Sequence, residues 1–199
     1  MTHFSPFTGE IADYYTKYYD ELKSEFFELV MPINRPAKPK YIRNNGVLLY
    51  DGRIDIVAFK LTKTLLDENE LRLTGWTDKP DLYRYPFKNK NPEIYSKLTR
   101  WQDFLNTFEN SIEQCFFNIA YPKANLSYHY GVSKHAWRTH ICFQTNPGFT
   151  FNIENEKKKW EEGMEHSFMF DDGNLWHGVD YEEMNIEQPR IVSILDIKK

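Results

Sequence analysis

Residues 127–140 read SYHYGVSKHAWRTH and hold three of the chain's six histidines, His129, His135 and His140. Arg138 stands two residues before His140, and His177 lies downstream after FDDGNLW. Arg190 follows thirteen residues later and opens the run RIVSILDI. Neutral imidazole is a common ligand for iron, zinc and copper. An arginine on an inward strand face needs an anion, because an unpaired buried charge is costly. Its planar fork suits a carboxylate. Two histidines on separate strands, followed by a strand-borne arginine, suit a small barrel that holds a metal and a dicarboxylate. Two residues after His129, where an acid would complete a 2-His-1-carboxylate site, stands Gly131.

Strands must position these groups. From 113 onward short β-like runs follow one another: QCFFNIAY, ANLSYHY, RTHICFQT, GFTFNI, HSFMF, LWHGV and PRIVSILDI. Turn residues at Pro122, Asn146-Pro147-Gly148, Gly163 and Asp171-Asp172-Gly173 separate them. Many short strands at regular spacing predict a sandwich or barrel. Side chains alternate along a strand, so Arg138, His140 and Cys142 share one face of RTHICF, and Thr139, Ile141 and Phe143 the other. Arg190 likewise shares a face with Val192 and Ile194.

The first half reads differently. Ile11, Tyr15, Tyr18, Leu22 and Phe26 recur at helical spacing, which predicts a helix over 9–31 stopped by Pro32. The proline-rich stretch 32–46 reads as extended or looped, and VLLY-DG-RIDIVAF as a hairpin turning at Asp51-Gly52. Ile94, Leu98, Trp101, Leu105, Phe108 and Ile112 form one apolar helical stripe after Pro92. Glu156-Lys157-Lys158-Lys159 reads as a solvated loop or turn. The fold class expected is mainly β with flanking helices: a double-sheet jelly roll with the N-terminal helices packed on one sheet. Residues 1–199 are expected to form a single domain, with 1–112 packed on a core of 113–199.

Bulk composition narrows the function. With 199 residues, 41 % of them apolar, the chain can bury one sizeable core. A net charge of −4 excludes a general nucleic-acid binder. Two cysteines without a paired framework fit a reducing compartment. No window approaches 18 apolar residues, and MTHFSPFTGE lacks the pattern of a signal peptide. A cytoplasmic protein with no membrane partner is expected.

HYG at 129–131, RTH at 138–140, WEEG at 160–163, FDD at 170–172, His177 and RIVSILDI at 190–197 together resemble the aspartyl/asparaginyl β-hydroxylase family. The resemblance covers roughly residues 113–197. It implies a cupin-like double-stranded β-helix that uses iron(II), 2-oxoglutarate and O2. On that resemblance His129 and His177 would bind iron, and Arg190 would pair with the distal carboxylate of 2-oxoglutarate. Asn118, in place of a family serine, would help Arg190. Arg138 and His140 would line the cosubstrate pocket, and Asp172 would stand behind the metal and steer water there. The substrate implied is an amino acid, free, in a peptide or on a carrier protein. Ala136 departs from the family's larger members, where an arginine holds an acidic substrate side chain.

Two alternatives stand beside hydroxylation. Related iron/2-oxoglutarate halogenases also lack an acid two residues after the first histidine, and there the vacancy admits chloride. WEEG and FDD favour the hydroxylase branch. The other alternative is a non-catalytic cupin-like binding protein. His135 reads as an exposed loop residue and His166 as structural. Trp137 and Trp176 read equally as substrate walls or core, and Tyr83, Arg84 and Tyr85 as a lid.

Overall fold

Apolar residues fall on both faces of the central strands, so both faces need a cover. In β12 (Arg190–Lys198) Ile191 and Leu195 join one core cluster, and Val192 and Ile194 join another. The computed structural model describes residues 2–33, 42–44, 47–51, 54–60, 87–131 and 134–199, and it shows the two covers. One is a second sheet and the other is a layer of helices.

The remaining strands are β1 (Ser5–Pro6), β2 (Ile42–Asn44), β3 (Val47–Asp51), β4 (Ile54–Lys60), β5 (Ile112–Ala120) and β6 (Asn125–His129). They continue with β7 (Ala136–Gln144), β8 (Phe149–Ile153), β9 (Glu156–Lys158), β10 (Phe168–Phe170) and β11 (His177–Tyr181). Among the described residues they make two six-stranded sheets, ordered β1-β10-β7-β12-β5-β4 and β2-β3-β6-β11-β8-β9. Every pairing is antiparallel. This is the double-stranded β-helix expected from the sequence. The first sheet supplies the faces of Arg138, His140, Asn118 and Arg190. The second supplies His129 and His177.

The helical layer lies on the far side of the first sheet. It comprises α1 (Glu10–Glu25), the short α2 (Phe87–Lys90) and α3 (Pro92–Tyr95), and α4 (Thr99–Thr107). A π-helical turn (Phe26–Val30) and a 3-10 turn (Met31–Ile33) extend α1. Phe26 stacks on Phe117 of β5 with ring centroids 3.9 Å apart. The Trp101 indole donates to Leu22 O at 2.9 Å, and Tyr15 Oη meets Ser193 Oγ of β12 at 2.8 Å. Each buried polar tip therefore has a partner inside an aromatic cluster. No helix among the described residues is long and apolar enough to cross a membrane.

Three local expectations change. β3 and β4 do not form a hairpin: β3 pairs with β2 and β6, while β4 pairs with β5 in the other sheet. The Asp51-Gly52 signal does not say which sheet receives the next strand. The stripe 94–112 is broken at Ser96–Leu98, and Ile112 already belongs to β5. Finally, Glu156–Lys158 is not a loop but the edge strand β9, paired with β8. Lysines suit that place because their charge discourages another chain from adding to the open edge.

Candidate active site

β6 and β11 are neighbours in register, with His129 opposite His177. Both imidazoles turn inward, and their ring centroids lie 4.5 Å apart. His129 Nδ1 meets Ser127 O at 2.8 Å, and His177 Nδ1 meets Leu175 O at 2.8 Å. A carbonyl only accepts, so each Nδ1 carries the proton and donates it. Each Nε2 is left with its lone pair, the form that binds a metal.

Asp172 comes to the same place from the turn after β10. Gly131 N donates to Asp172 O at 2.8 Å and brings the two backbones together. A Cβ at position 131 would lie 1.6 Å from Asp172 Oδ2, so only glycine fits there. The carboxylate missing two residues after His129 is thus replaced in space by one from another segment. Asp172 is fully buried, and its Oδ2 has no hydrogen-bond partner. Its Oδ1 lies 3.3 Å from His177 Nε2 and accepts from Arg138 Nη1 at 2.7 Å. With His177 Nδ1 protonated, a lone pair faces a carboxylate oxygen at that distance, an arrangement that a cation relieves.

Arg138 also donates from Nε and Nη2 to both oxygens of the fully buried Asp196, each at 2.7 Å. Asp196 shares the inward face of β12 with Arg190 and opposes Arg138 in register. Burial pushes the Asp172 carboxyl up, but the Arg138 charge pulls the other way and holds it below its ordinary value. Burial, with His177 adding to it, lowers His129 to about 4. Burial lowers His140 well below its ordinary value, and Arg190 and Arg138 add to that.

The second part of the site surrounds Arg190. Its Nη2 donates to Asn118 Oδ1, and its guanidinium lies 4.0 Å from the centre of the Trp160 ring. A guanidinium stacks well on indole. Trp160 Nε1 donates to His140 Nδ1 at 3.4 Å, which places the His140 proton on Nε2. His140 packs against Phe151, Phe168 and Phe170, and Phe170 continues to His177 with ring centroids 5.1 Å apart. The turn that follows Trp160 is held from the helical layer. Gly163 adopts φ +110° and donates its N–H to Tyr19 Oη at 3.2 Å, and Tyr19 donates to Cys142 O at 2.6 Å.

The donor set fits a divalent metal. Two imidazoles present Nε2 lone pairs beside a buried carboxylate with an unused oxygen. Among the described residues no three or more His, Cys, Asp or Glu side chains close on a cation position. Two imidazole nitrogens alone would leave most of an ion's coordination positions open, unlike a sealed structural site.

The family model for aspartyl/asparaginyl β-hydroxylases matches residues 63–199. The chain belongs to that family. It is accordingly an oxygenase-type hydroxylase. No curated protein matches it in sequence. Similar solved structures include an oxidoreductase of the 2OG-Fe(II) oxygenase family from Burkholderia pseudomallei, 12 % identical over 98 % of this chain and 94 % of that one, TM-score 0.46. Another is a prolyl hydroxylase from Trichoplax adhaerens, solved with a peptide fragment of a hypoxia inducible factor. It is 9 % identical over 94 % and 89 % of the two chains, TM-score 0.46. A predicted oxalate decarboxylase of Thermotoga maritima is 9 % identical over 48 % and 74 %, TM-score 0.36. No role is carried over from these structures.

Within this hydroxylase fold the residues singled out from the sequence form two groups. His129, His177, Asp172 and Arg138 make one, and Arg190, Asn118 and His140 the other. Asp196 and Trp160 had been given no role. Strand parity carried two residues past Ile194 would have found Asp196. His135 is exposed, and His166 lies at the surface beside Glu161 and Glu165. Trp137 lines a groove of about 480 Å³ that it shares with Phe7 and Phe108, away from the histidines. Trp176 is 41 % exposed and packs against Tyr130. Trp137 therefore lies off the site. Tyr83, Arg84 and Tyr85 lie outside the described residues.

The electrostatics predict a pH dependence for the metal-free protein. The unfolded chain binds a proton at His129 near pH 6.5, and the folded chain refuses it until about 4. Between those values the unfolded state holds more protons, so stability falls as pH drops. The His129 contribution is about 3 kcal/mol. Urea unfolding of chelator-treated protein at pH 7.5 and 4.5 should show this loss, and His129→Gln should remove part of it. An unchanged midpoint would count against a neutral, buried His129.

Proposed function

We propose that the chain is an iron(II)- and 2-oxoglutarate-dependent dioxygenase. It hydroxylates an unactivated C–H bond of an amino acid that is free, in a peptide or on a carrier protein. The observation that carries the reading is the facing pair His129 and His177, with the Asp172 carboxylate in the space beside Gly131. When bound, iron and 2-oxoglutarate supply the oxidation by O2, with succinate and CO2 as by-products.

The chain's own residues supply position and charge. His129 and His177 hold the metal through Nε2, and their Nδ1–H bonds to backbone carbonyls fix the ring planes. Asp172 keeps a fixed negative charge beside them. Arg190, steadied by Asn118 and the Trp160 ring, grips the far carboxylate of the cosubstrate. His140 offers its Nε2–H on the same wall, and Phe151, Phe168 and Phe170 keep that wall dry.

Two features narrow the reaction. The place beside Gly131 that a halide would need already holds an anion, and like charge repels it; this favours hydroxylation over halogenation. Arg138 is engaged by two carboxylates, and the buried Ala136 brings no charge. That favours a substrate side chain without a carboxylate. The same reading takes 1–199 as one domain, because Tyr15, Tyr19 and Phe26 of the helical layer bond or stack onto the strands that carry the site.

Anaerobic calorimetry with iron(II) should show one 2-oxoglutarate bound per chain, and candidate amino acids should then release succinate. Arg190→Leu is expected to weaken cosubstrate binding by about 3 kcal/mol, roughly a hundredfold, while the circular dichroism spectrum is kept. Absence of 2-oxoglutarate binding by the wild type, or equal binding by Arg190→Leu, would sink the proposal.

A further inference from the structure

Asp196 lies on the inward face of β12 but belongs to neither the histidine pair nor the anion grip around Arg190. It is fully buried, and a buried charge needs a reason. Its two oxygens each accept from a different nitrogen of Arg138 at 2.7 Å. That fork-to-fork geometry requires the ionised carboxylate, since a protonated one offers one acceptor fewer. The third nitrogen of Arg138 reaches Asp172 Oδ1 at 2.7 Å. A single guanidinium thus serves two buried carboxylates, one of which stands beside the histidines.

The charges give this row its meaning. Asp172 and Arg138 alone would cancel, and the two neutral imidazoles would then face a neutral neighbour. Asp196 supplies the second negative charge, so the three side chains together carry one net negative charge. Arg138 is held at both ends and keeps the Asp172 carboxylate turned toward His177. A divalent cation at the histidines is favoured by that residual charge in a buried, weakly screened place.

We infer that Asp196 is a positioning residue that acts through Arg138. It balances the charge of Arg138, so that Asp172 remains an effective anion toward a divalent metal held by His129 and His177. The inference rests on the metal reading of that histidine pair. It predicts a sign that a packing role does not. Removing the Asp196 charge alone should weaken metal binding, and removing the Arg138 charge as well should restore it, because Asp172 is then left as the sole charge.

The test is titration of metal-free protein with cobalt(II), followed by its visible absorption bands. Wild-type protein should bind one cobalt, and His177→Ala none. Asp196→Asn, of the same shape without the charge, should lose at least tenfold in cobalt affinity. The double variant Arg138→Met/Asp196→Asn should return to within about threefold of wild type by the same charge count. If Asp196→Asn does not fold, Asp196→Ser, which removes the charge and leaves room for water on Arg138, takes its place with the same expected loss. Asp196→Asn binding as wild type does, or a double variant that stays tenfold weak, overturns the inference. Wild-type protein that binds no cobalt overturns the metal reading itself, and the inference with it.

Discussion

A chain carrying His177→Ala is expected to lose its metal and all cosubstrate turnover while keeping its fold. His177 and His129 are the two facing imidazoles that keep their Nε2 lone pairs, that of His177 lying 3.3 Å from the Asp172 carboxylate, and the change removes one of them. Substitutions of groups that merely orient a ligating histidine cost 10–100-fold in metal affinity, so loss of the ligand itself should exceed about a hundredfold. Asp172 keeps its bond to Arg138, and β11 keeps its pairing with β6 and β8, so the sandwich has no cause to unfold. Metal content after iron(II) loading and desalting measures the effect, together with succinate release. An unchanged metal content would place the metal elsewhere.

Gly131→Ala is expected to be nearly as damaging, although it adds one methyl group. That carbon would sit 1.6 Å from Asp172 Oδ2. The backbone cannot swing aside, because the Gly131 N–H is bonded to Asp172 O at 2.8 Å. The carboxylate has to turn away and pull on Arg138 and Asp196 behind it. Overpacking of this kind costs about 1–3 kcal/mol, and catalytic efficiency should fall as far as in Asp172→Asn. Gly131→Asp, which sets a second carboxylate against the first, should not rescue it. A Gly131→Ala enzyme with wild-type kcat/KM would show that Asp172 does not fill that space.

Strand faces were legible in the sequence because alternation is enforced by the backbone. Arg138, His140 and Cys142 do share a face, as do Arg190, Val192 and Ile194. Partner choice was not legible. Nothing local in VLLYDGRIDIVAF says that its halves enter different sheets, since that is decided by the vacant edge of β5. The lysines of 156–158 read as loop because an exposed edge strand and a solvated turn select the same residue types. FDD pointed to Asp172, and HYG to Gly131. Their contact follows from a backbone bond across forty residues of chain, which no spacing rule contains. Asp196 was illegible for a simpler reason: an aspartate near the end of an apolar run resembles a strand terminus until its arginine partner on the neighbouring strand is seen.

The histidines belong to one sheet, and Arg190, Asn118 and Arg138 to the other. Neither sheet owns a working half, so the site is created only when the two are pressed together with their inner side chains interlocked. An expanded intermediate with all its strands paired would possess every residue and no site. A metal and cosubstrate that bind as proposed would recognise the final condensation step and draw the folding equilibrium toward it by mass action. In a cell short of either, this chain would be expected to linger longer in the loosened states that quality control removes.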